Sequence, residues 1–506
     1  MTGRDVPAEL GADAAGRPSR FSGSTAAATP ADELIRRLRD VCSSVESSDE
    51  ARVRAGRDWW PLSVVWALEG TNPAIPTAVV RPADTTEVSA VLRACNDANV
   101  PVVPFAGRSG VCGGSIPVFG GISLDLTGLT GITDVDDTSL LVTAKAGTFG
   151  DEFEAQLRSN HEMTAGHWPQ SIALSTVGGW VACRGAGQYS TRYGKIEDIV
   201  AGLEVVLAGG TVIHTGGKAP RAATGPDLTQ LFVGSEGTLG VVTGVQLRVH
   251  PAPPAERRSV YGFPTFEEGL EACRLVMRRG ATPAVLRLYD AAESRRNFEV
   301  DGEAVLVVID EGDPALIDGV MKVVDEECAR QGRTLDAGIA ARWLEHRNEL
   351  PSLDSLVRAG IIVETVEISG IWAALPGIYR AATEALRAID GTITASAHQS
   401  HAYTDGACLY FTFAGRPESP TNGAGEAYYR KAFGAIMRAT AERGGAISHH
   451  HGVGINRAGY MADHLGGGFD VLASIKSALD PNGILNPGKL GLPSPFGDIR
   501  KEWPEP

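Results

Sequence analysis

PFAGRSGVCGGS, residues 104–115, is the stretch whose reading decides the fold. It leaves a run of β-branched and apolar residues at 100–105 that reads as a strand. Gly107, Gly110, Gly113 and Gly114 then allow positive φ and close approach, so successive backbone N–H groups can surround an anion. The spacing matches neither the Rossmann GxGxxG nor a Walker loop with its Lys-Ser/Thr. Upstream, residues 78–80 read as another strand. Thr85 or Thr86 caps a helix with Val88, Val91, Leu92 and Cys95 on its apolar face. A surface turn explains the glycine loop, taken alone, as well as a phosphate cradle does.

Two further segments change that balance. Residues 175–179, STVGG, and 234–240, GSEGTLG, add hydroxyls to bare amides. Hairpin turns account for any one of the three segments but poorly for all of them. Together they fit a large, polyphosphorylated ligand lying against the backbone. A helix at 150–160 and a hairpin at 205–214 around Gly209-Gly210 fill the intervals. Pro251-Ala252-Pro253-Pro254 marks a boundary, and a second α+β pattern follows it. Its strands are expected at 259–263 and 304–309, its helices at 266–279 and 313–330. At 506 residues the chain exceeds the usual single-core limit. The expected division is a disordered tail at 1–30, a helical segment at 31–74, domains at 75–250 and 255–490, and a tail at 491–506.

A formal net charge of −15 argues against a nucleic-acid binder. The 7 cysteines are scattered without a CxxC pair, as in reduced thiols of a cytoplasmic protein. No basic-apolar leader opens the sequence, and the uncharged run at 163–183 is too polar to span a membrane. A cytoplasmic location with at most peripheral membrane contact is expected. Residues 31–45 form an amphipathic helix through Leu34, Ile35, Leu38 and Val41, suited to docking or to a dimer arm; a homodimer is expected. Trp59, Trp60 and Trp66 read first as core, with a substrate wall as the lesser alternative.

The chemistry concentrates at 448–454, SHHHGVG, after a helix at 427–443 that stops at Gly444-Gly445. Ala446-Ile447 starts a short strand, which puts His449 and His451 on one face and His450 on the other. Imidazoles are costly to bury without partners, because each has two nitrogens to satisfy. Proton transfer and anion binding explain them better than an exposed turn. A zinc site of all three is disfavoured, because such ligands usually come from helical pairs or separate elements, so no metal is expected.

In order, PFAGRSGVCGGS, PQSIALSTVGGW (169–180), RYGKIEDIV (192–200) and VGSEGTLGVVT (233–243) resemble the FAD-binding domain of the vanillyl-alcohol oxidase superfamily. RLYD at 287–290, DGACLYF at 405–411 and SHHHGVG narrow the resemblance to the alkyldihydroxyacetonephosphate (alkylglycerone-phosphate) synthases, over about residues 75–490. The resemblance implies an α+β protein with a two-subdomain FAD-binding domain and an α+β substrate (cap) domain. It implies exchange of the acyl chain of an acyl-dihydroxyacetone phosphate for a fatty alcohol, through an adduct at flavin N5. The substrate is therefore a small molecule or lipid, and non-covalent FAD is favoured over attachment through His167 or Cys112.

Carried over by motif, Tyr410 handles the proton, and His449, His450 and His451 assist it and hold flavin and head group. Arg287 faces the flavin and the substrate's oxygen or phosphate. Gly107, Arg108, Ser109, Gly110 and Cys112 serve the pyrophosphate, followed by Pro169, Ser175, Thr176, Gly178 and Gly179. Glu236, Gly237, Thr238 and Val241 lie toward adenine and ribose, with Tyr193, Gly194 and Ile196 as weaker candidates. Arg184 is a candidate for the substrate phosphate or the flavin, and a second arginine matches either Arg347 or Arg358. The chain departs from the family pattern at Ala106-Gly107-Arg108 and at Tyr403-Thr404-Asp405-Gly406. The competing expectation is an FAD-dependent 2-hydroxy-acid dehydrogenase or oxidase. Tyr410 stands near where those relatives carry a histidine, which argues against a metal-assisted site.

Overall fold

The glycine loop leaves the edge of a four-stranded sheet ordered Val45–Glu46, Ala78–Val80, Ile122–Asp125, Val102–Phe105, in which the last three strands are parallel. These strands belong to a computed structural model that describes residues 4–21, 31–349, 352–418 and 423–503. The helix Thr85–Asp97 makes the crossover and buries Val88, Val91, Leu92 and Cys95 against the sheet. Its cap is Asp84, one residue earlier than expected. The Asp84 carboxylate accepts the Glu87 N–H at 2.9 Å, while the Thr85 hydroxyl is drawn to Glu204 at 2.6 Å. An acceptor immediately before the first turn meets the orphan amides best.

A five-stranded antiparallel sheet follows, ordered Ile132–Asp136, Leu141–Lys145, Val241–Arg248, Val200–Val206, Val212–Gly216. Phe153 of the helix Gly150–His161 and Trp180 of Val177–Cys183 fill its core. The third sheet is antiparallel and has seven strands, in the order Arg333–Thr334, Ala255–Phe263, Ala304–Gly312, Val285–Tyr289, Thr392–Ala402, Gly406–Gly415, Ile362–Ile371. Its period-two pattern separates the faces: Leu409, Phe411 and Phe413 enter the core, and the alternating residues remain for other work. Helices Phe266–Arg278, Leu375–Arg387 and Ala424–Ala441 supply the apolar side of that core.

The ends of the chain differ from expectation. Within the expected tail, residues 4–21 are packed: Val6, Ala14 and Phe21 are buried, and Arg20 pairs with Glu426 at 2.8 Å. Phe21, Trp60, Trp66 and Trp503 form one edge-to-face cluster, so residues from both expected tails share a core. A few aromatic rings outweigh polar composition here, since each buries a large apolar area. Residues 22–30 of that expected tail lie outside the described residues. The helix Ala31–Val41 buries Leu34 and Leu38 against its own domain rather than presenting them to a partner.

The C-terminal end of the expected second domain packs into the first. Ile484 and Leu485 join the core of the first sheet, and Lys476 Nζ donates to the Thr238 and Leu485 carbonyls at 2.8 Å each. Asn486 donates to carbonyls of two glycine segments, Gly114 and Glu236, at 3.0 and 2.7 Å, and Lys489 to the Ile116 carbonyl just after the first at 2.8 Å. No helix among the described residues is long and apolar enough to cross a membrane.

Candidate active site

A cavity of about 960 Å³ lies between the three glycine segments and the polar face of the seven-stranded sheet. Register sets that face. Tyr410 stands opposite Glu367 on one neighbouring strand and opposite His398 on the other, so three polar side chains share a row. The Tyr410 phenol accepts from the Thr365 hydroxyl at 3.2 Å and lies 3.1 Å from His451 Nε2. The His398 ring stacks on it at 4.9 Å. Burial raises the phenol above its ordinary range, so Tyr410 is a proton donor to the imidazole.

The three histidines do not form the expected strand. Ala446 bridges to Ser369, and residues 447 and 449–451 then bend. The cause is one carboxylate. Glu367, fully buried, accepts the amide N–H groups of His449, His450 and His451 at 2.8, 3.3 and 2.6 Å. Three consecutive amides can converge on one acceptor only in a curled backbone, because a strand points them alternately outward. Arg457 Nη1 pairs with the same carboxylate at 2.9 Å, and Arg457 is itself 1% exposed. Burial alone would raise Glu367; Arg457 and the facing imidazoles outweigh it and hold the carboxyl well below the usual range.

The bend divides the histidines differently from alternation. His450 and His451 line the cavity, and His449 lies behind them, with Nε2 2.7 Å from the Tyr403 hydroxyl and Nδ1 2.8 Å from His450 Nδ1. Burial pushes His449 and His450 down to about 3 and His451 to about 4, so all three are neutral near pH 7. Because the phenol accepts from Thr365, its own O–H is left to donate to His451 Nε2, which offers its lone pair. His401, Cys408, His449 and His450 also bring ligand-type atoms within 4.8 Å of one another, a grouping not expected from the sequence.

Gly107, Arg108, Ser109, Gly110 and Cys112 line the other side of the cavity, as do Pro169, Ser175, Thr176, Gly178, Gly179, Glu236, Gly237 and Val241. Two observations test this wall as an FAD cradle. Among the described residues, no backbone carbonyl takes the amides of 107–114, which leaves a run of N–H donors beside the cavity. A Cβ at Gly107 would stand 1.8 Å from the Leu174 carbonyl oxygen, and one at Gly178 2.5 Å from the Ala146 Cβ, so the wall tolerates only glycine there. His167 and Trp59 add buried ring nitrogens with no partner at the cavity. Donors of this kind suit a pyrophosphate and a flavin ring edge; the residues present fit the group.

Several expected residues take other places. Thr238 is buried behind the wall, donating to the Ser235 carbonyl at 2.7 Å, and does not line the cavity. Glu236 lines it, but its carboxylate accepts Val453 and Gly454 amides at 2.5 and 2.9 Å, tying the glycine segment to the histidine bend. Arg184 is also outside: its side chain is 55% exposed beside Glu197. A left-handed residue closing the helix Val177–Cys183, it points away from the ligand wall. Tyr193 binds Glu311 at 2.7 Å and Ile196 is core, so neither reaches the cavity. Of the two alternative arginines, Arg347 lines the cavity, its guanidinium 4.8 Å from the Tyr189 ring centroid, and Arg358 is exposed. Trp60 and Trp66 are core, whereas Trp59 is wall. Sequence reading missed Glu367, Arg457, His398 and Glu293, whose roles depend on partners far along the chain.

The chain matches two family descriptions: FAD binding domain, over residues 76–216, and FAD linked oxidases, C-terminal domain, over residues 252–490. It is 32% identical over 437 residues to the uncharacterized FAD-linked oxidoreductase YgcU of Escherichia coli K12, covering 82% of this chain and 89% of that one. It is 30% identical over 509 residues to the alkyldihydroxyacetonephosphate synthase of Caenorhabditis elegans, covering 91% and 83%. A solved alkyldihydroxyacetonephosphate synthase superposes with a TM-score of 0.75 at 23% identity, over 93% of this chain and 90% of that one. The protein therefore belongs to the FAD-linked oxidase family, with the two-domain FAD-binding fold of the vanillyl-alcohol oxidase type and FAD as its cofactor.

Proposed function

We propose that the protein is a transferase of the alkyldihydroxyacetonephosphate synthase type, exchanging an acyl chain for an alkoxy chain on a dihydroxyacetone phosphate. One observation carries this reading: the Tyr410 phenol faces a neutral His451 at 3.1 Å in a cavity shared with Arg287, Arg347 and the glycine wall. Bound FAD supplies an electron-rich or electron-poor ring beside the substrate carbon. Everything else falls to the chain. The Tyr410 oxygen takes the proton of the entering alcohol as its own O–H proton passes to His451 Nε2, and the reverse movement returns a proton to the departing carboxylate oxygen. Thr365 holds the phenol in place, and Glu367 holds the imidazole's backbone. Arg287 neutralises the substrate's anionic group.

A second reading, oxidation of a small 2-hydroxy acid, is favoured by the lining of the cap side. Arg287, Arg296, Arg342 and Arg347 stand there, with Leu353 and Val363 as the aliphatic side chains among the described residues. Those cations suit an anionic substrate, beside the rings of Tyr289, Phe298 and Trp343 on the same wall. The two readings separate in one experiment. The FAD-loaded protein is incubated with an acyl-dihydroxyacetone phosphate and a labelled fatty alcohol, and in parallel with 2-hydroxy acids and an electron-accepting dye. Labelled ether without dye reduction supports the transferase. Dye reduction by a hydroxy acid without ether overturns it in favour of the oxidoreductase.

A further inference from the structure

The Arg287 guanidinium lines the cavity, and no carboxylate accompanies it among the described residues. It donates to His398, with Arg287 Nη2 2.6 Å from His398 Nε2, and the Tyr289 hydroxyl is a further neighbour. Arginine can only donate, so Nε2 must offer its lone pair. The ring's proton is then on Nδ1, 2.8 Å from Glu293 Oε2. Glu293 is fixed in turn: the Ser396 and Thr412 hydroxyls donate to Oε1 at 3.1 and 2.8 Å, and Arg296 pairs with it at 3.1 Å. The side chains of His398 and Glu293 are 8% and 2% exposed. A chain of three groups, each leaving the next a single role, ends on a cation whose Nε is buried and unpaired.

We infer that Glu293 and His398 are positioning residues that hold the Arg287 guanidinium ready for an anionic group of the substrate, a phosphate monoester or a carboxylate. A neutral imidazole is the suitable support. A carboxylate in its place would satisfy the arginine's charge and compete with the ligand, whereas an imidazole accepts one N–H and leaves the charge free. His398 stacks on Tyr410, so the same ring sets the anion site and the phenol side by side. The inference rests on the anion-binding role proposed for Arg287.

The test titrates FAD-loaded protein with inorganic phosphate by calorimetry, with FAD content and melting temperature as folding controls. His398→Phe keeps a flat ring but removes the acceptor, and is expected to weaken phosphate at least ~10-fold, the size of one charge-assisted hydrogen bond. His398→Gln retains an acceptor and is expected to recover most of that loss. A structural role alone would show no difference between Phe and Gln variants of equal melting temperature. Phosphate binding unchanged by His398→Phe but lost in Arg287→Gln overturns the relay and leaves the arginine's role standing. Binding unchanged in Arg287→Gln overturns both.

Discussion

The buried carboxylate of Glu367 accepts the amide of His451 at 2.6 Å, and this contact, repeated at His449 and His450, shapes the histidine bend. Glu367→Gln would replace an acceptor-only group by one with its own N–H donors and leave Arg457 without its counter-charge. Loss of one partner of a buried ion pair costs about 3–5 kcal/mol. Denaturant unfolding should show a loss of that size, with the melting temperature falling in parallel. A variant as stable as the wild type would mean that Glu367 does not organise the bend.

Tyr410→Phe removes one oxygen and leaves the ring that stacks on His398. FAD content and melting temperature should stay near wild type, while turnover falls by about 10²–10⁴, the usual share of a general acid or base. Full activity would take Tyr410 off the reaction path.

His451 is pushed by burial down to about 4 from an ordinary 6.5, and Tyr410 is raised above its ordinary 10. The working forms are the free imidazole nitrogen and the intact phenol. Acidification removes the first only as pH falls through about 4, and alkali removes the second only beyond its ordinary range. The kcat profile should therefore be flat from about pH 5 to about pH 7, above which Glu364, raised by burial to about 8 in the same cavity, also titrates. An inflection between pH 6 and 7 would contradict a desolvated His451.

Gly107→Ala tests the cradle through space alone, since the added methyl meets the Leu174 carbonyl at 1.8 Å. The loop must shift, and the purified variant should lose bound FAD, read from its flavin absorbance, at little cost to secondary structure. Retention of a full complement of FAD would show that the pyrophosphate is not held here.

Arg184→Ala and Arg347→Ala should part company. Arg184 is 55% exposed and off the cavity, so its loss should leave KM and FAD affinity within about 2-fold, as for surface substitutions generally. Arg347 lines the cavity among aromatic rings, and its loss should raise KM several-fold without displacing FAD. Equal effects would put the anion contacts elsewhere.

Much of this protein was legible in its linear order. The glycine segments pointed to a polyphosphorylated ligand lying against the backbone, because close approach and open amides are properties of the residues themselves, and the family resemblance made that ligand FAD. In the strand Gly406–Gly415, which was not among the strands expected, local alternation separates Phe411 and Phe413 from Tyr410. The triple histidine marked the site as well, but not its shape. A strand was the local expectation, and the bend exists only because Glu367, some eighty residues earlier in the chain, supplies one acceptor for three amides. The same holds for His398, whose tautomer is set by Glu293 and Arg287 from other elements, and for Arg184, which motif order placed at the ligand and the fold turned outward. Residue type and spacing determine which backbone can approach a ligand and which face a side chain takes; which acid, base or cation completes a buried hydrogen-bond set depends on contacts between distant segments, and only the folded chain brings those together.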